Sequence, residues 1–213
     1  MLNLSKYTNE SITDGNERKE KELVYHAILK DMSVLQNAAK IETQEQWEIK
    51  IPKIDSNSLN VKPNLCSGRM RVRKINNGEK YIFCSKTKDE DGNLEVELES
   101  TEDQFNQFYK MSTSGMYKTR YCFPIEGTEG SFPEGEFDGR LVWEIDVFKK
   151  HPEDESVVEW VKIDLELPEN FTGEIPNFPF ETNAIIYAQY GSRTDEDEAL
   201  ISNLYEKEYC LKH

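Results

Sequence analysis

Charged and apolar residues alternate along several short stretches of this chain, as in β-strands with one polar and one apolar face. At 68–73, Arg69, Arg71 and Arg73 share one face, and Met70 and Val72 share the other. Similar patterns predict strands at 46–51, 81–88, 94–99, 116–123, 141–148 and 157–167. Hairpin-length turns join most of these roughly seven strands, which favours an antiparallel sheet or barrel.

Helical spacing appears at both ends of the chain and once in the middle. Apolar positions between Asn16 and Lys40 recur mostly at three- or four-residue steps, which predicts a helix after a polar arm at 1–15. A short helix is expected after Ser100, and a C-terminal helix is expected to begin at Thr194. Residues 184–188 fit either a strand or a helix. The sequence therefore predicts an α+β fold whose helices cover the apolar face of the sheet.

The composition restricts the function classes. The net charge of -15 disfavours nonspecific binding to nucleic acid or an anionic membrane, so a basic site has to be local and enclosed. An acidic chain could instead imitate nucleic acid. No apolar run approaches the ~20 residues of a membrane span. No secretory signal is expected and no CxxC pair occurs, so we expect four reduced cysteines in a cytoplasmic protein without a structural zinc site.

The charges are grouped by sign from strand to strand. Three arginines are followed by two lysines, three glutamates, a lysine–arginine pair and then two acidic strands. Like charges in a row are unfavourable unless ligands of opposite sign lie between them. Arginine and lysine suit phosphate oxygens, and carboxylates suit Mg²⁺ or Mn²⁺. The strand faces are therefore predicted to converge on one enclosed polyanion site.

This ordered series resembles the CYTH superfamily, also called triphosphate tunnel metalloenzymes, over about residues 46–167. The matching features are the RxR pair Arg69 and Arg71, the KxK pair Lys86 and Lys88, the basic pair Lys118 and Arg120, the E-I-D-x-F strand at 144–148, and the acidic pair Asp164 and Glu166. One motif departs from the family. The opening ExExK strand reads Gln46-x-Glu48-x-Lys50, so an amide replaces the first acid.

The resemblance implies an eight-stranded antiparallel barrel, or tunnel, with a charged interior and helices on its outside. The arm and helix at 1–43 would precede a tunnel domain at 44–213. The implied phosphate-binding residues are Arg69, Arg71, Arg73, Lys86, Lys88, Lys118 and Arg120. The implied ligands for Mg²⁺ or Mn²⁺ are Glu48, Glu97, Glu144, Asp146, Asp164 and Glu166. Lys50, Arg69, Arg71 and Lys118 are the candidate catalytic residues.

Three functions stay open at this stage. The first is metal-dependent hydrolysis of an inorganic, nucleoside or thiamine triphosphate. The second is nucleotidyl cyclisation, in which a ribose hydroxyl replaces water as the nucleophile. The third is a phosphate-, nucleotide- or protein-binding module without turnover, which Gln46 favours. The expected partner is a small triphosphate or nucleotide rather than nucleic acid or a membrane. The N-terminal helix could plug one mouth of the tunnel or mediate association, for example as a homodimer.

Overall fold

A computed structural model describes residues 18–51, 68–89, 92–133, 136–151, 153, 157–168, 171–188 and 194–212. The strands are β1 Arg18–Leu29, β2 Lys40–Ile51, β3 Gly68–Ile75, β4 Lys80–Asp89, β5 Gly92–Ser100, β6 Ser114–Pro124, β7 Val142–Lys149, β8 Val161–Pro168, β9 Thr182–Tyr187 and β10 Leu211–Lys212. The α-helices are α1 Glu102–Tyr109 and α2 Asp195–Asn203. Short 3₁₀ segments lie at Met32–Asn37, Asn76–Gly78 and Phe137–Gly139, and a π-helical segment at Leu204–Tyr209 follows α2.

The ten strands form one strongly curled antiparallel sheet. Its order is β10-β6-β2-β3-β4-β5-β1-β8-β7, and β7 also pairs with β6. The strand β9 pairs with β1 outside this path. The α+β class and the antiparallel sheet predicted from the alternating pattern are thus confirmed.

The predicted closed eight-stranded barrel is not shown: within the described residues, the curled sheet connects β5 to β1 only through a short stretch. In the described residues, β1 meets β5 at two residue pairs, Arg18–Glu95 and Lys19–Leu94. Farther along the chain, β1 pairs with β9 instead. One edge of β1 carries β8, and β5 and β9 pair with different parts of its other edge.

The helix predicted between Asn16 and Lys40 is wrong. That segment contains β1 and a 3₁₀ segment at Met32–Asn37. Leu23 and Ala27 are buried against the outside of the sheet, and His26 is buried on its inside. A strand covered on both faces loses the apolar–polar alternation, and here the remaining spacing resembled that of a helix.

Other local predictions are confirmed. Asn77-Gly78 turns the chain between β3 and β4 with positive φ angles of 59° and 105°. Thr101 caps α1 with a capping box, and Thr194 caps α2 in the same way. The ambiguous segment at 184–188 contributes to β9.

The apolar side chains lie mostly on the outside of the curled sheet, where other elements cover them. Phe105 and Phe108 of α1 pack on Trp47 and Val72 of β2 and β3. On the opposite wall, Ile145, Ile163 and Leu165 belong to a second cluster. Three partly buried aromatic residues of the segment at 171–180 pack against it: Phe171, Phe178 and Phe180. Burial of these outer faces leaves the charged faces turned inward.

Trp47 lies directly on Gly115 of the neighbouring strand β6. A β-carbon at residue 115 would come within 2.2 Å of Trp47 Cε3. We therefore expect Gly115→Ala to lower the free energy of unfolding by about 1–3 kcal/mol through overpacking. Urea denaturation followed by tryptophan fluorescence would measure this loss. The matched change Gly127→Ala meets no atom within 4 Å, although its φ of 77° adds backbone strain; an equal loss in both variants would contradict the steric explanation.

The C-terminal segment covers one end of the sheet. Leu204 and Tyr209 pack on Met116 and Phe148, and the Tyr209 ring stacks on Phe148 with 3.8 Å between ring centroids. Tyr209 Oη also lies 3.0 Å from His26 Nδ1. In the described part of the chain, no helix has the length and apolar character needed to cross a membrane.

Candidate functional site

The inner face is the side of the sheet where charged side chains of distant strands meet. The clearest contact joins β4 to β1, because Lys86 Nζ lies 3.3 Å from Glu22 Oε2 although β5 stands between these strands in the sheet order. Side chains from β6, β7 and β8 also meet on this face. The predicted convergence of charged strand faces is therefore seen among the described residues.

We call Arg69, Arg71, Arg73 and Lys86 the basic wall. Arg69 stands opposite Lys86 in the β3–β4 register and opposite Lys50 in the β2–β3 register. Three positively charged residues thus occupy adjacent register positions on three neighbouring strands. Such cross-strand neighbours repel each other, so this row favours an anion.

Two members of the basic wall also have partners within the sheet. Arg73 Nη2 donates to Glu97 Oε1, and Arg71 Nη2 lies 3.1 Å from Cys84 Sγ. Glu48 stands opposite Arg71 in the register, and its Oε1 accepts from Ser114 Oγ at 3.3 Å. The first two contacts tie Arg71 to β4 and Arg73 to β5.

Glu22 links the basic wall to the opposite side of the inner face. Its carboxylate lies 3.3 Å from Lys86 Nζ and 3.6 Å from Lys162 Nζ. Burial opposes its ionisation, but Lys162, Lys86 and the hydrogen bond from Lys86 outweigh burial and lower its pKa to about 2. The ionised carboxylate therefore stabilises the folded chain.

Glu22→Gln is expected to destabilise the protein at neutral pH but not in acid. A carboxyl whose pKa is lowered on folding stabilises the protein above its unfolded value of 4.5, and this stabilisation is lost as the pH falls towards about 2. A quarter of the Glu22 side chain is exposed, so we expect a difference on the order of 2 kcal/mol after solvent screening. Urea denaturation of both proteins at pH values from 7 down to 3 would measure it, and a constant difference would contradict the linkage.

The second group of charges, which we call the ion cluster, lies on β6, β7 and β8. It consists of Lys118, Arg120, Glu144, Asp146, Lys162 and Asp164. At its centre, Arg120 donates to both oxygens of Asp146, at 2.8 and 2.9 Å. Lys118 Nζ donates to the same carboxylate, which is fully buried. Such bidentate pairs are strong and geometrically specific.

The remaining acids of the ion cluster also have basic partners. Arg120 Nη1 pairs with Glu144, and Arg120 Nη2 lies 3.7 Å from Asp164 Oδ2. Lys162 Nζ donates to Asp164 and also reaches Glu22. The ion cluster and the basic wall are thus connected through Glu22 and Lys162.

The pKa values of Lys118 and Asp146, at the centre of the ion cluster, are both lowered, for different reasons. Burial and repulsion from Arg120 lower the pKa of Lys118 to about 8, although Asp146 opposes the change. Burial works against ionisation of Asp146, but Arg120 and Lys118 outweigh it and lower the pKa of this carboxyl. Asp146 is therefore a permanent anion, whereas Lys118 begins to lose its charge in mildly alkaline solution.

The acids that the family resemblance implies as metal ligands do not gather around a vacant position. In the described ranges, no group of three or more His, Cys, Asp or Glu side chains is placed to hold a metal ion. Glu144, Asp146 and Asp164 face basic side chains instead, and Glu97 faces Arg73. Paired in this way, these four acids do not fit Mg²⁺ or Mn²⁺, and the metal-ligand role of Glu48 and Glu166 stays a prediction.

The structure locates the other predicted site residues as follows. Lys50 and Lys88 lie on β2 and β4, and their side chains are outside the described part of the structure. Glu166 lies on β8, two residues after Asp164. Gln46 is buried on β2, where its Nε2 lies 3.7 Å from Met116 Sδ. The roles assigned to these residues stay predictions.

Sequence reasoning missed Glu22 because a helix was expected there. The signal that could have revealed it is Glu20-Lys21-Glu22, an alternation just before the strand-forming residues Val24 and Tyr25. Lys162 precedes Asp164 by two residues on β8, so strand alternation puts both side chains on one face, and Lys162 Nζ donates to Asp164 there.

No protein-family model matches the chain, and no curated protein matches it. Several solved structures do match. The hypothetical protein NE1496 is 16% identical, with 84% of this chain and 96% of that chain covered and a TM-score of 0.39. HpAC1 from Hippeastrum, described as an adenylyl cyclase with a dominant triphosphatase activity, is 14% identical, with 70% and 80% covered and a TM-score of 0.41. PH1819 from Pyrococcus horikoshii OT3 is 15% identical, with the same coverage and a TM-score of 0.40. Similarity at this level identifies neither a family nor a site.

Proposed function

We propose that the inner face binds the triphosphate group of a small molecule and that the protein hydrolyses its terminal phosphoanhydride bond. One observation carries the proposal: the register brings Lys50, Arg69 and Lys86 side by side on three neighbouring strands. Neighbouring cations in a partly enclosed sheet repel each other, and a compact anion with several negative charges relieves this repulsion. A triphosphate meets this need, because its oxygens accept hydrogen bonds from arginine and lysine.

The basic wall would hold phosphate oxygens and stabilise charge in the transition state. Hydrolysis forms a bond from a water oxygen to the terminal phosphorus and breaks the bond to the bridging oxygen. Negative charge then moves towards the leaving phosphate, where Arg69 and Arg71 would act on it. We assign Arg73 and Lys86 to binding. Lys118 and Arg120, which the family resemblance implies for phosphate binding, are engaged with Asp146 and Glu144. Lys50 and Lys88 are assigned to the phosphate group by their strand positions.

Binding without turnover is the second candidate. It is favoured by the ion pairs that Glu144, Asp146 and Asp164 make, because these acids are already engaged with basic side chains. Gln46 in the opening motif points the same way. A protein of this kind would sequester a triphosphate or nucleotide and release it unchanged.

One assay separates these candidates. The purified chain is incubated with tripolyphosphate, ATP or thiamine triphosphate, each with Mg²⁺, with Mn²⁺ and with EDTA, and the products are quantified. Release of orthophosphate supports hydrolysis. Saturable binding without product in every medium supports the second candidate. Pyrophosphate with a cyclic nucleotide would reassign the protein to cyclisation, and no binding of any triphosphate would overturn the proposal.

A further inference from the structure

The carboxylates of the ion cluster have fixed positive partners built into the same sheet. Glu144, Asp146 and Asp164 come from β7 and β8, and Lys118, Arg120 and Lys162 from β6 and β8. Three formal negative charges thus meet three formal positive charges. Divalent cations bind where carboxylate oxygens exceed the local positive charge, and here there is no such excess within the cluster.

The geometry of these contacts is specific. Arg120 uses Nε and Nη2 for the two oxygens of Asp146 and Nη1 for Glu144, so most of its donors are engaged. Lys162 contacts both Asp164 and Glu22. Asp146 and Asp164 are 0% and 2% exposed, so water does not replace a partner that is withdrawn. A metal entering this cluster would have to break the buried contacts of Arg120.

We infer that the basic wall binds a triphosphate without a divalent cation, and that Glu144, Asp146 and Asp164 serve as counter-ions of Lys118, Arg120 and Lys162 rather than as metal ligands. The inference rests on the proposed function, because it concerns how the same inner face holds the same anion. It replaces the metal-ligand role that the family resemblance implies for these three acids. The arginine and lysine side chains of the basic wall supply the positive charge that a bound metal would otherwise bring to the phosphate.

Two measurements on the unaltered full chain test this. Isothermal titration with tripolyphosphate is carried out in excess EDTA and again in excess Mg²⁺. The affinity in EDTA is expected to equal or exceed that in Mg²⁺, since free Mg²⁺ competes with the basic wall for the anion. In the second measurement Mn²⁺ alone is titrated and free Mn²⁺ is followed by its electron paramagnetic resonance signal. No saturable Mn²⁺ binding is expected.

A charge change then tests the counter-ion role directly. Arg120→Gln leaves three carboxylates with two cations, so this variant is expected to gain saturable Mn²⁺ binding. Arg140→Gln is the matched control, because Arg140 pairs with Glu126 and Glu129 in the segment before β7, away from the cluster. This control is expected to bind no Mn²⁺. Circular dichroism checks that both variants are folded, and the two titrations of the unaltered chain decide the question if Arg120→Gln does not fold.

The outcomes distinguish the inference from the proposed function. Tripolyphosphate binding confined to the Mg²⁺ medium would overturn the inference and leave the proposed function standing. Saturable Mn²⁺ binding to the unaltered chain without the anion would also overturn it. Failure to bind tripolyphosphate in either medium would overturn both. Folded Arg120→Gln without Mn²⁺ binding would contradict the counter-ion role.

Discussion

Asp146→Asn is expected to lower the free energy of unfolding by about 3–5 kcal/mol, since it breaks a buried ion pair from one side. Asp146 is fully buried and accepts hydrogen bonds from Lys118 and from two nitrogens of Arg120. The amide is neutral and offers one acceptor oxygen instead of two. Two buried cations would then face each other without the anion between them. Urea denaturation at neutral pH would measure the loss.

The matched control for this prediction is Glu181→Gln. Glu181 also pairs with a lysine, Lys30, at 2.8 Å, but both side chains are more than half exposed. Exposed pairs contribute about 0–1 kcal/mol, so this variant is expected to be nearly as stable as the unaltered chain. If both variants lost a similar amount of unfolding free energy, burial would not explain the contribution of the Asp146 ion pairs to stability.

The double variant Arg69→Ala/Arg71→Ala is expected to weaken tripolyphosphate binding at least about a hundredfold. Hydrogen bonds to charged groups contribute about 1.5–3 kcal/mol each, and two such donors would be lost. Isothermal titration in EDTA would give the change in the dissociation constant. Thermal melting would show whether loss of the Arg71–Cys84 contact also affects folding.

A control variant removes the same amount of charge from outside the inner face. Lys74 lies on β3 as well, but it pairs with Glu45 on the side of the sheet that carries Val72 and Trp47. The double change Lys74→Ala/Arg140→Ala is therefore expected to alter the dissociation constant less than about threefold, through long-range electrostatics alone. Equal weakening in both double variants would mean that net charge, and not the basic wall, attracts the anion.

The alternating pattern predicted most strands and the faces on which their charges lie, because side chains in a strand alternate regardless of what surrounds it. Capping residues separately predicted a helix start near Ser100 and another at Thr194, because caps act within a few residues. The pattern failed at β1, where burial on both faces removed the alternation. The local sequence does not show that both faces of a strand will be buried by other parts of the chain.

The individual ion pairs could not be predicted for a different reason. Lys86 meets Glu22 across 64 positions of sequence, and the choice depends on how strongly the sheet curls. Alternation assigned Arg120 and Asp146 to charged faces but did not show that they contact each other. The predicted metal ligands were plausible as a set of acids, yet the pairing register placed basic side chains beside them. Register between distant strands is a property of the assembled sheet.

The pairing between β1 and β5 has a consequence for hydrogen exchange. The strands β3, β4 and β5 form a three-stranded unit that pairs with β2 from Gln44 to Ile51 and, within the described residues, with β1 at Arg18–Glu95 and Lys19–Leu94. This unit carries the basic wall, and the acids of β7 and β8 lie on the other side of the inner face. We expect an anion that bridges both sides to stabilise the β1–β5 pairing, so that amide hydrogens at the start of β5 exchange more slowly with solvent.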